Sequence, residues 1–315
     1  LRCSSPLFTI DQIQYTDAMT KPHVFARFLF LLACMLGLLP LALLRTLGTV
    51  AGWISYRLDG RETRVARRNV QLAYPDDSPQ QHEMKVKGIL ESSGQTLFET
   101  LAVWTRPRQQ ALRLLTGVQG RQHLDAALAK GKGVIVAGPH YGNWELLLKF
   151  LAHNGPLSLV YRVPEKAYGD DFLSKVRGGA NVTLVPAEAT AMRPLLKALQ
   201  RGETVGITPD QQPKQGGGEF APFFGVPALT LSLIAKLASR NGTPVLFAYA
   251  ERDAQGFVMH IEAAEPALHD TDLSVALAAM NRRVEAIARR DFRQYQWTYK
   301  RFSIRPDPSE QSPYT

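Results

Sequence analysis

The stretch Gly133–Ala152, GVIVAGPHYGNWELLLKFLA, decides how the rest of the chain is read. GVIVA (133–137) is a short apolar, β-branched run of the kind that forms a buried strand. Gly138-Pro139 marks a turn. From Asn143 onward, Trp144, Leu147, Leu148 and Leu151 recur at helical spacing. A strand feeding a helix through a tight bend is half of an α/β unit, and ligands collect at such strand ends. His140 lies in the bend and Glu145 in the expected first helical turn. The two can act as a general base and its orienter. They can equally be a polar bend residue and a carboxylate complementing the helix dipole.

Upstream of this unit, Tyr74–Pro79 reads as a loop. Ser78 is a helix N-cap with Pro79 at the first helical position. That helix runs to about Leu101 and is broken by Thr105–Arg108, and a shorter one, Arg121–Lys130, stops at Gly131 and Gly133. Downstream, strands are expected at 157–162, 182–185 and 204–207, alternating with helices at 168–177, 191–201 and 229–240. Residues 211–218 (QQPKQGGG) form a loop, 244–252 and 256–261 a strand pair, and 273–290 a long helix. The alternation predicts an α/β fold: a single domain with a central, mostly parallel mixed sheet flanked by helices, preceded by an N-terminal membrane-associating helix.

The N-terminal helix is expected from Phe28–Leu44 (FLFLLACMLGLLPLALL), 17 residues without a charge between Arg27 and Arg45. That is the short limit for a membrane span. It also suits a helix lying in the interface with its arginines at the headgroups. Residues 1–18 show no period and precede Met19, so they read as a leader or upstream extension. RLDGRETRVARR (57–68) follows the apolar stretch with five arginines, as a juxtamembrane segment facing anionic lipid would, or as a solvated helix face would.

Lys+Arg 37 against Asp+Glu 28 gives a net charge of +9, which favours an anionic partner. Cys3 and Cys34 have no metal-ligand spacing and predict no disulfide. His140, Arg162 and Asp210 fall at expected strand ends, and Arg177 ends a helix. In one crevice His140 can take a hydroxyl proton, Arg162 or Arg177 can bind phosphate or face an oxyanion, and Asp210 can bond a hydroxyl or hold an arginine. Alternatively, Asp210 is a turn carboxylate and the arginines are surface cations. The sequence has no GxSxG elbow, no HExxH or CxxC, and no Walker or dinucleotide-binding glycine pattern. With no covalent nucleophile in view, direct attack by a substrate hydroxyl is the simplest scheme.

HYGNWE (140–145) resembles the HX4(D/E) signature of glycerolipid-type acyltransferases, and in this form the late acyltransferases of bacterial lipid A synthesis. RNVQLAYPDDS (68–78), ITPDQQP (207–213), FAPFFGVPA (220–228) and QWTYKRF (296–302) agree in order, so the resemblance covers about residues 25–305. It implies an acyltransferase domain over 57–305, after an N-terminal membrane segment over 19–56 and before a flexible tail over 306–315. The implied donor is a thioester on acyl carrier protein and the implied acceptor a hydroxyl of a membrane lipid, with no cofactor or metal. His140 would be the base with Glu145 as partner, and Arg177 the oxyanion donor. Asp210, Arg162 and Asn143 would be further substrate-binding or oxyanion positions. The implied place is the cytoplasmic face of the bacterial inner membrane, single-pass or peripheral, against its anionic surface. A lysophospholipid, an ornithine-type lipid or an aryl polyene would suit the same chemistry as acceptor. A non-enzymatic adaptor binding anionic lipid would share the basic clusters. Nucleic acid is not an expected partner, since no recognition motif accompanies the charge.

Overall fold

The computed structural model describes residues 24–164, 167–179, 181–214 and 216–315; the expected leader over 1–18 lies outside them. Five helices come first: α1 (Val24–Gly37), α2 (Leu41–Arg57), α3 (Arg61–Ala73), α4 (Pro79–Thr105) and α5 (Arg108–Leu112). Strand and helix then alternate through β1 (Leu115–Gln119), α6 (Arg121–Ala129), β2 (Val134–Ala137), α7 (Trp144–His153), β3 (Leu157–Tyr161), α8 (Ala167–Arg177), β4 (Val182–Pro186), α9 (Met192–Gln200) and β5 (Thr204–Ile207). The chain continues with β6 (Gly218–Phe223), β7 (Val226–Leu231), α10 (Leu233–Asn241), β8 (Val245–Arg252), β9 (Phe257–Ala263) and α11 (Leu273–Arg290).

Seven strands form one mixed sheet in the order β1-β9-β8-β2-β5-β3-β4. From β8 to β4 every pairing is parallel, and β9 runs antiparallel to β8. Side-chain alternation divides the core into two layers. Ile135, Ala137, Val205, Ile207 and Phe247 face helices α9 to α11, while Val134, Val136, Leu246 and Ala248 face α6 and α7. The expected α/β fold with a mostly parallel mixed sheet between helices is thus present. β6 and β7 form a separate antiparallel hairpin.

The N-cap expected at Ser78 is formed. Ser78 Oγ accepts from Gln81 N, and Gln81 returns a bond to Ser78 N at 2.7 Å, with Pro79 inside the first turn. The apolar stretch 28–44 does not form one helix. α1 ends at Gly37 and α2 restarts after Pro40, which has no N–H to continue the ladder. Among the described residues no helix is long and apolar enough to cross a membrane. Of residues 306–315, expected as a flexible tail, 306–311 are exposed, while Tyr314 bonds Asn69 through its hydroxyl and accepts from Phe302 N at 3.1 Å.

α2 lies on α4 with almost no side chain between them. A Cβ on Gly52 would stand 2.1 Å from Leu90 O, and one on Gly94 would stand 2.1 Å from Gly48 O. Such contacts leave no room for relaxation, so Gly52→Val should destabilise by at least the ~1–3 kcal/mol typical of overpacking. Gly117, where an added Cβ meets nothing within 4 Å, provides the control as Gly117→Ala. Equal melting temperatures for the two variants would show that the α2–α4 contact contributes little.

Candidate active site

β2 and β5 are neighbours, and their last residues, Ala137 and Ile207, are partners in register. His140 and Asp210 each lie three residues beyond those partners. Parallel pairing therefore carries the two side chains to the same point at the carboxyl edge of the sheet. His140 Nδ1 lies 2.9 Å from Asp210 Oδ1, and the His140 backbone N–H donates to Asp210 Oδ2 at 2.8 Å. Asp210 is 4% exposed. Burial acts to raise its pKa, but the charge and hydrogen bonds of His140 outweigh burial and hold the carboxyl below its ordinary range.

Acceptance by ionised Asp210 puts the proton on Nδ1 and leaves the Nε2 lone pair free, the tautomer a general base requires. The amide of Gln211 faces Nε2 at 3.3 Å and donates to Gln296 Oε1 at 3.1 Å, which fits that tautomer. Trp144 packs edge-on against the imidazole with ring centres 5.2 Å apart. The bend itself is pinned from below. Gly142 N donates to Gln294 O at 3.0 Å and Asn143 N to Ala250 O at 2.9 Å. Gly142 has φ +58°, and a Cβ there would stand 2.0 Å from Ala250 O, so the position requires glycine.

Glu145 departs from its expected place. α7 begins at Trp144, and successive helical residues point about 100° apart. Trp144 therefore turns toward His140 and Glu145 turns away. The Glu145 carboxylate is held by Arg177, whose Nε lies 3.0 and 3.1 Å from its two oxygens and whose Nη2 also bonds it. The carboxylate on the imidazole is Asp210, and the expected contact between Glu145 and His140 is replaced by two separate pairs. Asn143 caps α7, its Oδ1 accepting from Leu146 N at 3.1 Å, and its buried Nδ2 has no partner among the described residues. Arg162 is exposed just beyond β3, without a hydrogen bond among the described residues.

Behind Asp210 a cavity of about 10 Å³ is lined by Tyr295, Gln296, Tyr299 and Arg301 among others. Burial, with the Asp210 charge second, keeps the Tyr295 hydroxyl protonated far above its ordinary range. Arg301 is 3% exposed and donates to Leu229 O and Thr230 Oγ1. It is a fixed cation within the same buried group. Gln211 and Gln296 were not singled out from the sequence, although each lies in a block that carried the resemblance.

A sequence profile described as bacterial lipid A biosynthesis acyltransferase matches residues 14–303. The chain belongs to that family. It is 29% identical over 279 residues to the lipid A biosynthesis palmitoleoyltransferase of Escherichia coli, covering 85% of this chain and 87% of the relative. It is 27% identical over 274 residues to the lipid A biosynthesis lauroyltransferase of the same organism, covering 85% and 88%. A phosphatidylinositol mannoside acyltransferase of Mycobacterium tuberculosis is 28% identical over 192 residues, 59% of this chain and 60% of the relative. As a lipid A acyltransferase the chain is an enzyme that moves an acyl group onto a lipid acceptor, and His140, Glu145, Arg177, Asp210 and Arg301 all lie within the matched range.

The positive charge near the C-terminus of this lipid A acyltransferase is mostly compensated. The arginines crowding its C-terminal region are largely paired: Arg282 with Glu265, Arg283 with Glu262, Arg290 with Glu251, Arg293 with Asp291 and Arg305 with Glu310. Paired in this way, they do not form an open basic surface. Arg57, Arg64 and Arg68 are exposed and have no carboxylate partner among the described residues.

Proposed function

We propose that this enzyme transfers a fatty acyl chain from the thioester of acyl carrier protein to a hydroxyl of a lipid A precursor. The observation that carries the reading is the His140–Asp210 pair, set at one point by the register of β2 and β5. The acceptor hydroxyl displaces the Gln211 amide from His140 Nε2. Its oxygen attacks the thioester carbonyl carbon while Nε2 takes its proton. Asp210 holds the Nδ1 proton and stabilises the imidazolium that forms. Arg177, paired with Glu145 in the cleft on the other face of α7, lies off this reaction point, so its expected part as oxyanion donor is not carried into the reading. Collapse of the tetrahedral oxyanion breaks the carbon–sulfur bond, and the departing thiolate takes the proton back from His140. No acyl-enzyme forms.

The membrane contact in this reading is an interfacial one. Leu31, Met35, Leu38, Leu43, Val50, Trp53, Ile54 and Leu58 are exposed along α1 and α2. An apolar surface of this extent, bordered by Arg57 and Arg64, suits the headgroup region of an anionic bilayer, here the cytoplasmic face of the inner membrane.

The test is a mass spectrum of lipid A from cells lacking the gene, complemented with wild type or His140→Ala. Addition of one acyl unit by wild type alone is the expected result, and the added mass gives the chain length. Lipid A unchanged in all three strains would move the acceptor to another lipid and overturn the assignment.

A further inference from the structure

On the face of α7 away from His140, the cleft between α7, α5, α8 and the β3–β4 edge carries more positive charge than the protein neutralises. Glu145, Leu148, Lys149 and Ala152 line it at helical spacing, with Arg108 and Arg177 opposite and Leu157, Leu159, Val176 and Val182 as apolar walls. Among the described residues it contains three cations and one carboxylate. That carboxylate, Glu145, is already engaged through both oxygens by Arg177. Arg108 is fixed by one bond from Nη1 to Ala152 O at 2.9 Å. Lys149 has no hydrogen bond or ion pair among the described residues. Two half-buried cations are thus held side by side against apolar walls, an arrangement that is unfavourable unless an anion enters.

We propose that this cleft is a binding site for a phosphate ester, with Lys149 and Arg108 as its ligands. A tetrahedral oxyanion group offers several acceptors to converging cationic donors, and the apolar walls suit the carbon chain that an ester carries. Burial, followed by the repulsion of Arg108, holds Lys149 below its ordinary pKa, and a bound anion would restore it. The site begins one residue from Trp144, whose ring packs on His140. Two phosphate sources reach such a place: the phosphodiester arm of the carrier-protein donor and a phosphorylated lipid acceptor. Only the choice between them rests on the proposed acyl transfer.

The probe is inorganic phosphate, titrated by calorimetry into the full-length detergent-solubilised protein. Wild type and Lys149→Arg are expected to bind it, and Lys149→Gln to bind at least tenfold more weakly. In turnover assays phosphate should compete with one substrate, and Lys149→Gln should raise the KM of that substrate at least tenfold with a much smaller change in kcat. Competition with the donor assigns the site to the carrier arm, and competition with the acceptor assigns it to a lipid phosphate. Phosphate affinity of Lys149→Gln within twofold of wild type would overturn the proposal. The titration reads the site even if no lipid A acylation is found, so the two ideas fail separately.

Discussion

His140→Ala should lower acyl transfer on the order of 10²- to 10⁴-fold, the usual consequence of losing a general base, while the protein stays folded. The bend does not depend on the imidazole, because Gly142 and Asn143 are held by backbone bonds to Gln294 and Ala250. Asp210→Asn should approach the same loss by another route, since an amide cannot stabilise the imidazolium. Glu145→Gln does not touch the imidazole, because Glu145 is bound to Arg177. An Asp210→Asn enzyme with full activity would sink this division of roles. Stability supplies a second reading. Asp210 titrates below its ordinary range when folded, so its contribution is present above the unfolded carboxylate value and disappears as pH falls through the lower folded one. Asp210→Asn should therefore be less stable than wild type near neutral pH and converge on it in acid.

The candidate site was legible in parts, for reasons specific to each residue. His140 was visible because a β-branched run, a Gly-Pro turn and an apolar period mark the bend around it. Asp210 was visible as a strand-end residue, but its pairing with His140 depends on β5 being the neighbour of β2. Sheet order is a non-local property that no local pattern encodes. The expected Glu145–His140 contact failed because placing His140 in the bend and Glu145 in the first helical turn does not fix which way each side chain points. Once α7 starts at Trp144, helical rotation assigns adjacent residues to different sides.

Among the elements, the β6–β7 hairpin was hidden by Gly218, Pro222, Gly225 and Pro227, which read as breakers. A two-stranded hairpin outside the main sheet accommodates prolines that a central strand would not. β1 was hidden by its shortness and by the irregular register between Leu115 and Gly117. Helices α4 and α11 and the fully buried β2 and β5 have strong periods or continuous apolar runs, and their places agree with the sequence expectation.

Glu99→Ala should produce the largest loss of stability. Glu99 is 0% exposed in the C-terminal third of α4, between two arginines from distant parts of the chain. Arg252, which ends β8, grips it through Nε at 2.8 Å and Nη2 at 2.9 Å, and Arg45 of α2 reaches it at 2.6 Å. Arg252 also bonds Ser92 and Thr96 on α4, while Arg45 bonds the carbonyls of Asp253, Ala254 and Gly256 in the β8–β9 turn. One carboxylate thus joins the N-terminal helices to the sheet. Its removal leaves two buried guanidinium groups without a counter-charge, and breaking a buried ion pair from one side costs about 3–5 kcal/mol. For a chain of this size, 2–4 °C per kcal/mol corresponds to a fall of roughly 6–20 °C in melting temperature. Asp125→Ala, which breaks an exposed pair with Arg121, should change stability by less than about 1 kcal/mol. Activity should also fall in Glu99→Ala. Arg252 N bonds Gln294 Oε1, and Gln294 O receives Gly142 N, so the ion cluster is two hydrogen bonds away from the bend that carries His140. A Glu99→Ala protein melting within 2 °C of wild type would show that α2 is held to the sheet by the close α2–α4 contact at Gly48, Gly52 and Gly94 rather than by charge.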